Sequence, residues 1–136
     1  MNLLLLDSIR AGYKGEEVLH GITLSLGSSE KLVIMGPSGS GKTTLLKVIP
    51  RLVEPTSGRI IFDGTDVTGL TSESELKDVR AKIGYLPQHY GLFFHMKVID
   101  NVVFPLRVVR GIPKDKAIDI AMKYLKLFGI EDLAER

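Results

Sequence analysis

Apolar and polar positions fall into blocks along this chain, and the period within each block separates strands from helices. "LLLLDSIRAGY" (3–13) and "GITLSL" (21–26) are apolar or alternating runs around the Gly-containing "AGYKGEE", which predicts an antiparallel pair joined by a loop. "KLVIM" (31–35) is continuously apolar, as expected of a strand buried on both faces of a parallel sheet. Between Gly41 and Pro50, Leu45, Leu46, Val48 and Ile49 suit a short helix that the proline ends. "GRIIFDG" (58–64) reads as a strand entering an Asp-Gly turn, and "KIGYL" (82–86) as another strand before the irregular "PQHYGLFFHM" (87–96). The clearest helical pattern starts at Pro113 and stops at Gly129. Ala117, Ile118, Ala121, Met122, Leu125 and Phe128 share one face of it. Strands mixed with helices predict an α/β domain with a small antiparallel subdomain in front; there is no internal repeat or low-complexity linker.

Composition narrows the classes without choosing among them. A chain of 136 residues, 44% hydrophobic and 25% charged, has the profile of one globular domain or part of one. A formal charge of +2 gives no basis for nucleic acid as a partner. With no Cys, a disulfide framework, a CxxC redox site and a thiolate zinc site are excluded. His20, His89 and His95 have no metal-ligand spacing. The apolar opening "NLLLL" is stopped by Asp7 and is too short for a signal peptide or a membrane span.

The chemistry is concentrated in "VIMGPSGSGKTTLL" (33–46). Gly36, Gly41, Lys42 and Thr43 match G-x-x-x-x-G-K-[ST] after an apolar run and before a helical pattern, the context that the phosphate-binding loop requires. Gly36, Gly39 and Gly41, with Pro37, Ser38 and Ser40 between them, let the backbone curl so that consecutive N–H groups point at phosphate oxygens. The helix start adds its positive dipole end. Lys42 would reach the β- and γ-phosphates as a point charge, Thr43 would offer its hydroxyl to Mg²⁺, and Thr44 is placed toward the α-phosphate. The anion implied is a nucleoside triphosphate, ATP, carried with Mg²⁺.

Beyond that loop, "EPTSGRIIFDGTDVTGL", "IGYLPQHYGLFFHMKVIDNVVFPLR" and the run from "AGYKGEEVLHGITLSL" to "KYLKLFGIEDLAER" resemble the nucleotide-binding subunit of an ATP-binding cassette (ABC) transporter over nearly the whole chain. The resemblance implies a P-loop NTPase core of ABC type with an N-terminal antiparallel β-subdomain. Residues 1–30 would form the adenine-side segment, 31–88 the core and 89–136 the start of a helical subdomain. It implies that Tyr13 stacks on adenine and that Gln88 reaches Mg²⁺ and the attacking water, which makes Lys42 and Gln88 the candidate catalytic residues. It further implies a second nucleotide-binding subunit in a homodimer, and membrane permease subunits received by residues 88–96. The location would be the cytoplasmic face of the cell membrane. "FPLRVVRG" is similar to importer-like and lipid-trafficking members. Ser28-Ser29 and Pro50-Arg51 depart from the family pattern, and the proline should shorten the first helix.

Cutting the γ-phosphate needs further groups, which in this family come from an apolar strand ending in Asp-Glu, a later His and a Ser-Gly-Gly-Gln signature. None of the three occurs in these 136 residues. Asp7 and Asp63 follow apolar runs but precede Ser8 and Gly64, so neither carries the required Asp-Glu pair. The expectation is the front portion of a longer ATPase. A module that binds ATP without hydrolysing it and a small-molecule kinase remain as alternatives.

Overall fold

The computed structural model describes residues 2–136, which form two compact units, the first ending at Ile83 and the second Gly84–Arg136. In the first unit, strands β1 (Asn2–Tyr13), β2 (Glu16–Gly27), β3 (Pro55–Phe62) and β4 (Thr65–Asp66) make one antiparallel sheet in the order β2-β1-β3-β4. Lys14 and Gly15, both at positive φ, turn β1 into β2. Asp63 and Gly64 do the same between β3 and β4, as the Asp-Gly pair predicts.

β1 buries Leu4 and Leu6 and then Ile9 and Ala11, so its inward parity changes from even to odd. A register shift between Leu6 and Ile9, with Ser8 at φ 53°, makes the change. β2 has a matching irregularity at Gly21, φ 85°, beyond which Ile22, Leu24 and Leu26 turn toward the core. Against this face pack Leu45 and Val48 of helix α1 (Lys42–Val48), Val67, and Leu76 and Val79 of helix α2 (Glu73–Arg80). Each fully buried Leu, Ile or Val contributes about 1.5–3 kcal/mol of transfer free energy.

α1 ends at Val48, and Arg51 then takes a left-handed conformation, φ 51°, with its N–H on Val48 O at 2.9 Å. A side chain there is strained, and the Arg51 guanidinium is anchored on Val67 O and Leu70 O at 2.9 and 2.8 Å. α2 opens on a reciprocal cap. Ser72 Oγ accepts the Glu75 N–H at 3.2 Å, and Glu75 Oε2 accepts the Ser72 hydroxyl at 2.7 Å. Ser72→Ala is expected to lower the stability of this unit by about 1 kcal/mol, with Ser72→Thr restoring most of it, as read by urea midpoints.

Two expected strands do not form. No described residue pairs with 31–35, whose Val33 and Met35 are 76% and 87% exposed, or with 82–86, whose Leu86 is 75% exposed. A strand exists only through its ladder, and an apolar run carries no information about which segment would supply one.

In the second unit α3 (Val98–Val108) packs on α4 (Lys114–Leu127) through Ile99 and Val103 against Ala117, Ala121 and Leu125. Of the expected α4 face, Met122 and Phe128 are exposed instead: the alanines bring α3 close, and the contact stripe is narrower than the apolar one. Gly129, φ 67°, closes α4, and a 3-10 turn (Glu131–Leu133) follows. The last residues return to the start of α3, where the N–H groups of Val98 and Ile99 donate to Arg136 O and Ala134 O at 2.9 and 3.0 Å. These are orphan donors of a helix start, here satisfied by backbone. Lys97 adds an ion pair with Glu135 at 2.5 Å; that hydrogen bond, then the charge of Glu135, holds its ammonium above the usual lysine range.

Candidate functional site

Residues 36–44 form one loop entering α1. Gly39 and Gly41 sit at φ 82° and 93°, conformations that favour glycine, and Gly41 also lies against β2. A Cβ on Gly41 would meet Leu19 Cδ2 and Val18 Cγ1 at 3.1 Å, and one on Gly36 would meet Ser40 Oγ at 2.9 Å. The curl therefore needs small residues at both ends.

Lys42 folds back over this curl. Its Nζ donates to Gly36 O at 2.7 Å, Pro37 O at 2.6 Å and Ser40 Oγ at 3.2 Å, three hydrogens for three acceptors. The ammonium thus sits where loop oxygens converge, and the loop wraps a charge of the size that a phosphate group would engage. No side chain caps α1, and its first turn holds no acid, so the positive helix end is left to an anion. Thr43 is exposed at the helix start, whereas Thr44 is 6% exposed and faces the core. Ser38 is exposed within the loop. An open cleft of about 260 Å³ runs beside the loop, with Leu19, Ile34 and Leu45 on its apolar side and Lys42 on its polar side.

Tyr13, 45% exposed, ends β1 in the same unit, paired with Glu16. Val18 and Leu19, which touch the Gly41 position, follow within the next turn and strand. The carboxylates that resemble a metal site lie elsewhere. Asp7 pairs in register with Arg59, and Asp63 sits in its turn with Lys82 Nζ at 2.9 Å.

Gln88 belongs to the second unit and is exposed in a turn that the Tyr90 N–H closes on Pro87 O at 3.0 Å. After it, Tyr90, Leu92, Phe93 and Phe94 are all exposed. The sequence reading missed Asn101, whose carboxamide bonds the backbone of Phe93, Met96 and Lys97. Its one available signal was a poor helix former in the first turn of a helix.

The model of the ABC transporter family matches residues 19–136. The chain belongs to that family. Among curated relatives of this ABC transporter chain, the sulfate/thiosulfate import ATP-binding protein CysA of Escherichia coli K12 is 40% identical over 127 residues, 93% of this chain and 33% of that protein. The putative 2-aminoethylphosphonate import ATP-binding protein PhnT of Salmonella typhimurium LT2 is 39% identical over 133 residues, 98% of this chain and 34% of that protein. The chain therefore spans about a third of the length of these relatives. Among solved structures, the dimeric post-hydrolysis state of the ATP-binding cassette MJ0796 bound to ADP and Pi superposes with a TM-score of 0.87. It is 31% identical, and the match covers 98% of this chain and 60% of that one. The α/β fold with an antiparallel sheet in front is accordingly that of an ABC cassette.

Proposed function

We propose that these residues are the ATP-binding part of an ABC transporter subunit that couples ATP hydrolysis to import, acting as a homodimer on membrane permease subunits. The reading is carried by the phosphate-binding loop closed around the Lys42 ammonium. The names of CysA and PhnT support import over lipid trafficking, and the dimer of MJ0796 supports the homodimer. No described helix is long and apolar enough to cross a membrane, so the reading needs partner subunits to do so, with this chain at the cytoplasmic face.

Lys42 would turn its three hydrogens from loop oxygens to the β- and γ-phosphates, while Gly36, Pro37, Ser38, Gly39, Ser40 and Gly41 supply the N–H cradle wherever the residue has one. Thr43 would hold Mg²⁺, which when bound would offset phosphate charge. Thr44 would act through its backbone at the α-phosphate, given its buried side chain. Tyr13 would stack on adenine. Tyr13→Ala is then expected to weaken ATP binding roughly fivefold, about 1 kcal/mol, while Tyr13→Phe leaves it unchanged.

A second reading, ATP binding without turnover, is favoured for residues 1–136 alone by their lack of an Asp-Glu-ended apolar strand and a Ser-Gly-Gly-Gln stretch. Calorimetry with ATP and Mg²⁺, run beside a phosphate-release assay, tests both. Binding without release is expected of these residues alone; no binding would overturn the function proposed.

A further inference from the structure

Two glutamates follow one another at the start of β2, and the hairpin sends them to opposite faces. Glu17 Oε1 accepts from the Arg10 guanidinium at 2.6 Å and lies 2.8 Å from His20 Nδ1. Arg10 and His20 are register partners, so the three side chains share one face of the β1-β2 pair. Glu16 is the register partner of Tyr13 across the Lys14-Gly15 turn, whose two residues both have positive φ, as a tight hairpin requires. Side chains alternate along a strand, so Tyr13 and Glu16 stand on the other face, with the pair Ala11 and Leu19. Val18 is the extra residue of β2 between that pair and the pair Gly12 and Glu17. This second face is turned to the phosphate-binding loop, because Leu19 Cδ2 and Val18 Cγ1 lie 3.1 Å from the Cβ position of Gly41. Glu17 is thus engaged on the far face, whereas Glu16 is exposed and its carboxylate has no partner among the described residues.

A ring stacked on Tyr13 presents its π-face, which every base has, so stacking by itself does not choose among bases. The choice is left to the base edge. Glu16 sets a carboxylate, an acceptor with no hydrogen of its own, beside the stacking ring, with the two Cβ atoms about 5 Å apart as in any cross-strand pair. We infer that Glu16 is the specificity-determining residue for the base: its carboxylate accepts a hydrogen bond from the exocyclic N6 amine of adenine. A base with a carbonyl oxygen in that position sets acceptor against acceptor and is disfavoured. The inference rests on the reading that Tyr13 stacks on adenine, and adds which edge of the base is read and by what.

The full polypeptide carrying these residues is titrated calorimetrically with nucleoside diphosphates, which present no γ-phosphate to hydrolyse. The three ligands are ADP, purine riboside diphosphate, which lacks the amine, and IDP, which has oxygen in its place. Wild-type protein is expected to bind ADP about fivefold more tightly than purine riboside diphosphate, the low end for a hydrogen bond to a charged acceptor because this carboxylate is exposed. IDP should be weaker than ADP by at least as much. Glu16→Ala is expected to remove both preferences. Loss of a negative charge also shifts the affinity for every phosphate ligand, but by a common factor, so the ratio isolates the bond to the amine. Glu16→Gln, which keeps an oxygen acceptor without the charge, should retain part of the preference, and Glu17→Ala all of it. Tyr13→Ala should weaken the three ligands by a common factor. A wild-type ratio near one, or a ratio unchanged in Glu16→Ala, would overturn the role of Glu16 while a Tyr13→Ala loss left the stacking in place. Unchanged affinities in Tyr13→Ala would take the base off this hairpin, and the inference would fall with that reading.

Discussion

Lys42→Ala is expected to weaken ATP binding a hundredfold or more while leaving the fold nearly as stable. Charge-assisted hydrogen bonds contribute roughly 1.5–3 kcal/mol each, and the ammonium would make at least one to each of two phosphates, so about 3 kcal/mol or more is lost. The same side chain now bonds Gly36 O, Pro37 O and Ser40 Oγ, all on exposed residues. Those acceptors pass to water when Lys42 is removed, which limits the stability change to a few tenths of a kcal/mol. Lys42→Arg separates charge from shape: it keeps the cation, but its planar fork does not fit three converging oxygens, and only part of the affinity should return. Calorimetric titration with ATP and Mg²⁺, beside a thermal melt, reads both quantities. Unchanged affinity in Lys42→Ala would sink the phosphate-loop assignment. Lost affinity with a collapsed melt would mean that Lys42 holds the fold instead.

That loop was legible because its whole chemistry is contiguous: glycines at positive φ, a lysine and a threonine within one turn need no distant partner to be recognised. The hairpin turns at Lys14-Gly15 and Asp63-Gly64 were legible for the same reason. The inward parity of β1 was not, because four consecutive leucines hide which two point inward and the shift at Ser8 leaves no compositional mark. The apolar character of 31–35 and 82–86 was read correctly, but strand pairing lies between segments and cannot be found within one. α2, found only in the structure, buries only Leu76 and Val79, too few apolar positions to set a period. α3 was obscured by Pro105 in its interior, a residue that ordinarily breaks helices. Asn101 acts on backbone four to eight residues earlier, a relation that no local pattern expresses.

Gly12→Ala should be the most damaging small substitution in the first unit. A Cβ on Gly12 would lie 1.8 Å from Glu16 O and 2.8 Å from both Glu16 C and Glu17 Cα. All three are backbone atoms, so no rotamer relieves the clash, and β1 and β2 must separate where Gly12 pairs with Glu17. Overpacking of this kind costs about 3 kcal/mol, and in a unit of this size that lowers Tm by roughly 10–20 °C. Gly15, two residues past Tyr13, provides the contrast. It has a left-handed φ of 86° but nothing within 4 Å of its Cβ position, so Gly15→Ala should cost only the backbone penalty of about 1 kcal/mol. The conformational rule alone would rank the two the other way, because it is Gly15 that has positive φ. Close approach decides, and the melts of the two variants measure it. A Gly12→Ala protein that melts at or above the temperature of Gly15→Ala would show that the hairpin end is not closed as described. Because Tyr13 follows Gly12 directly, the same substitution should also weaken ATP binding by at least as much as Tyr13→Ala, below the melting temperature. An opened hairpin that left ATP affinity untouched would remove Tyr13 from the site while sparing the phosphate loop.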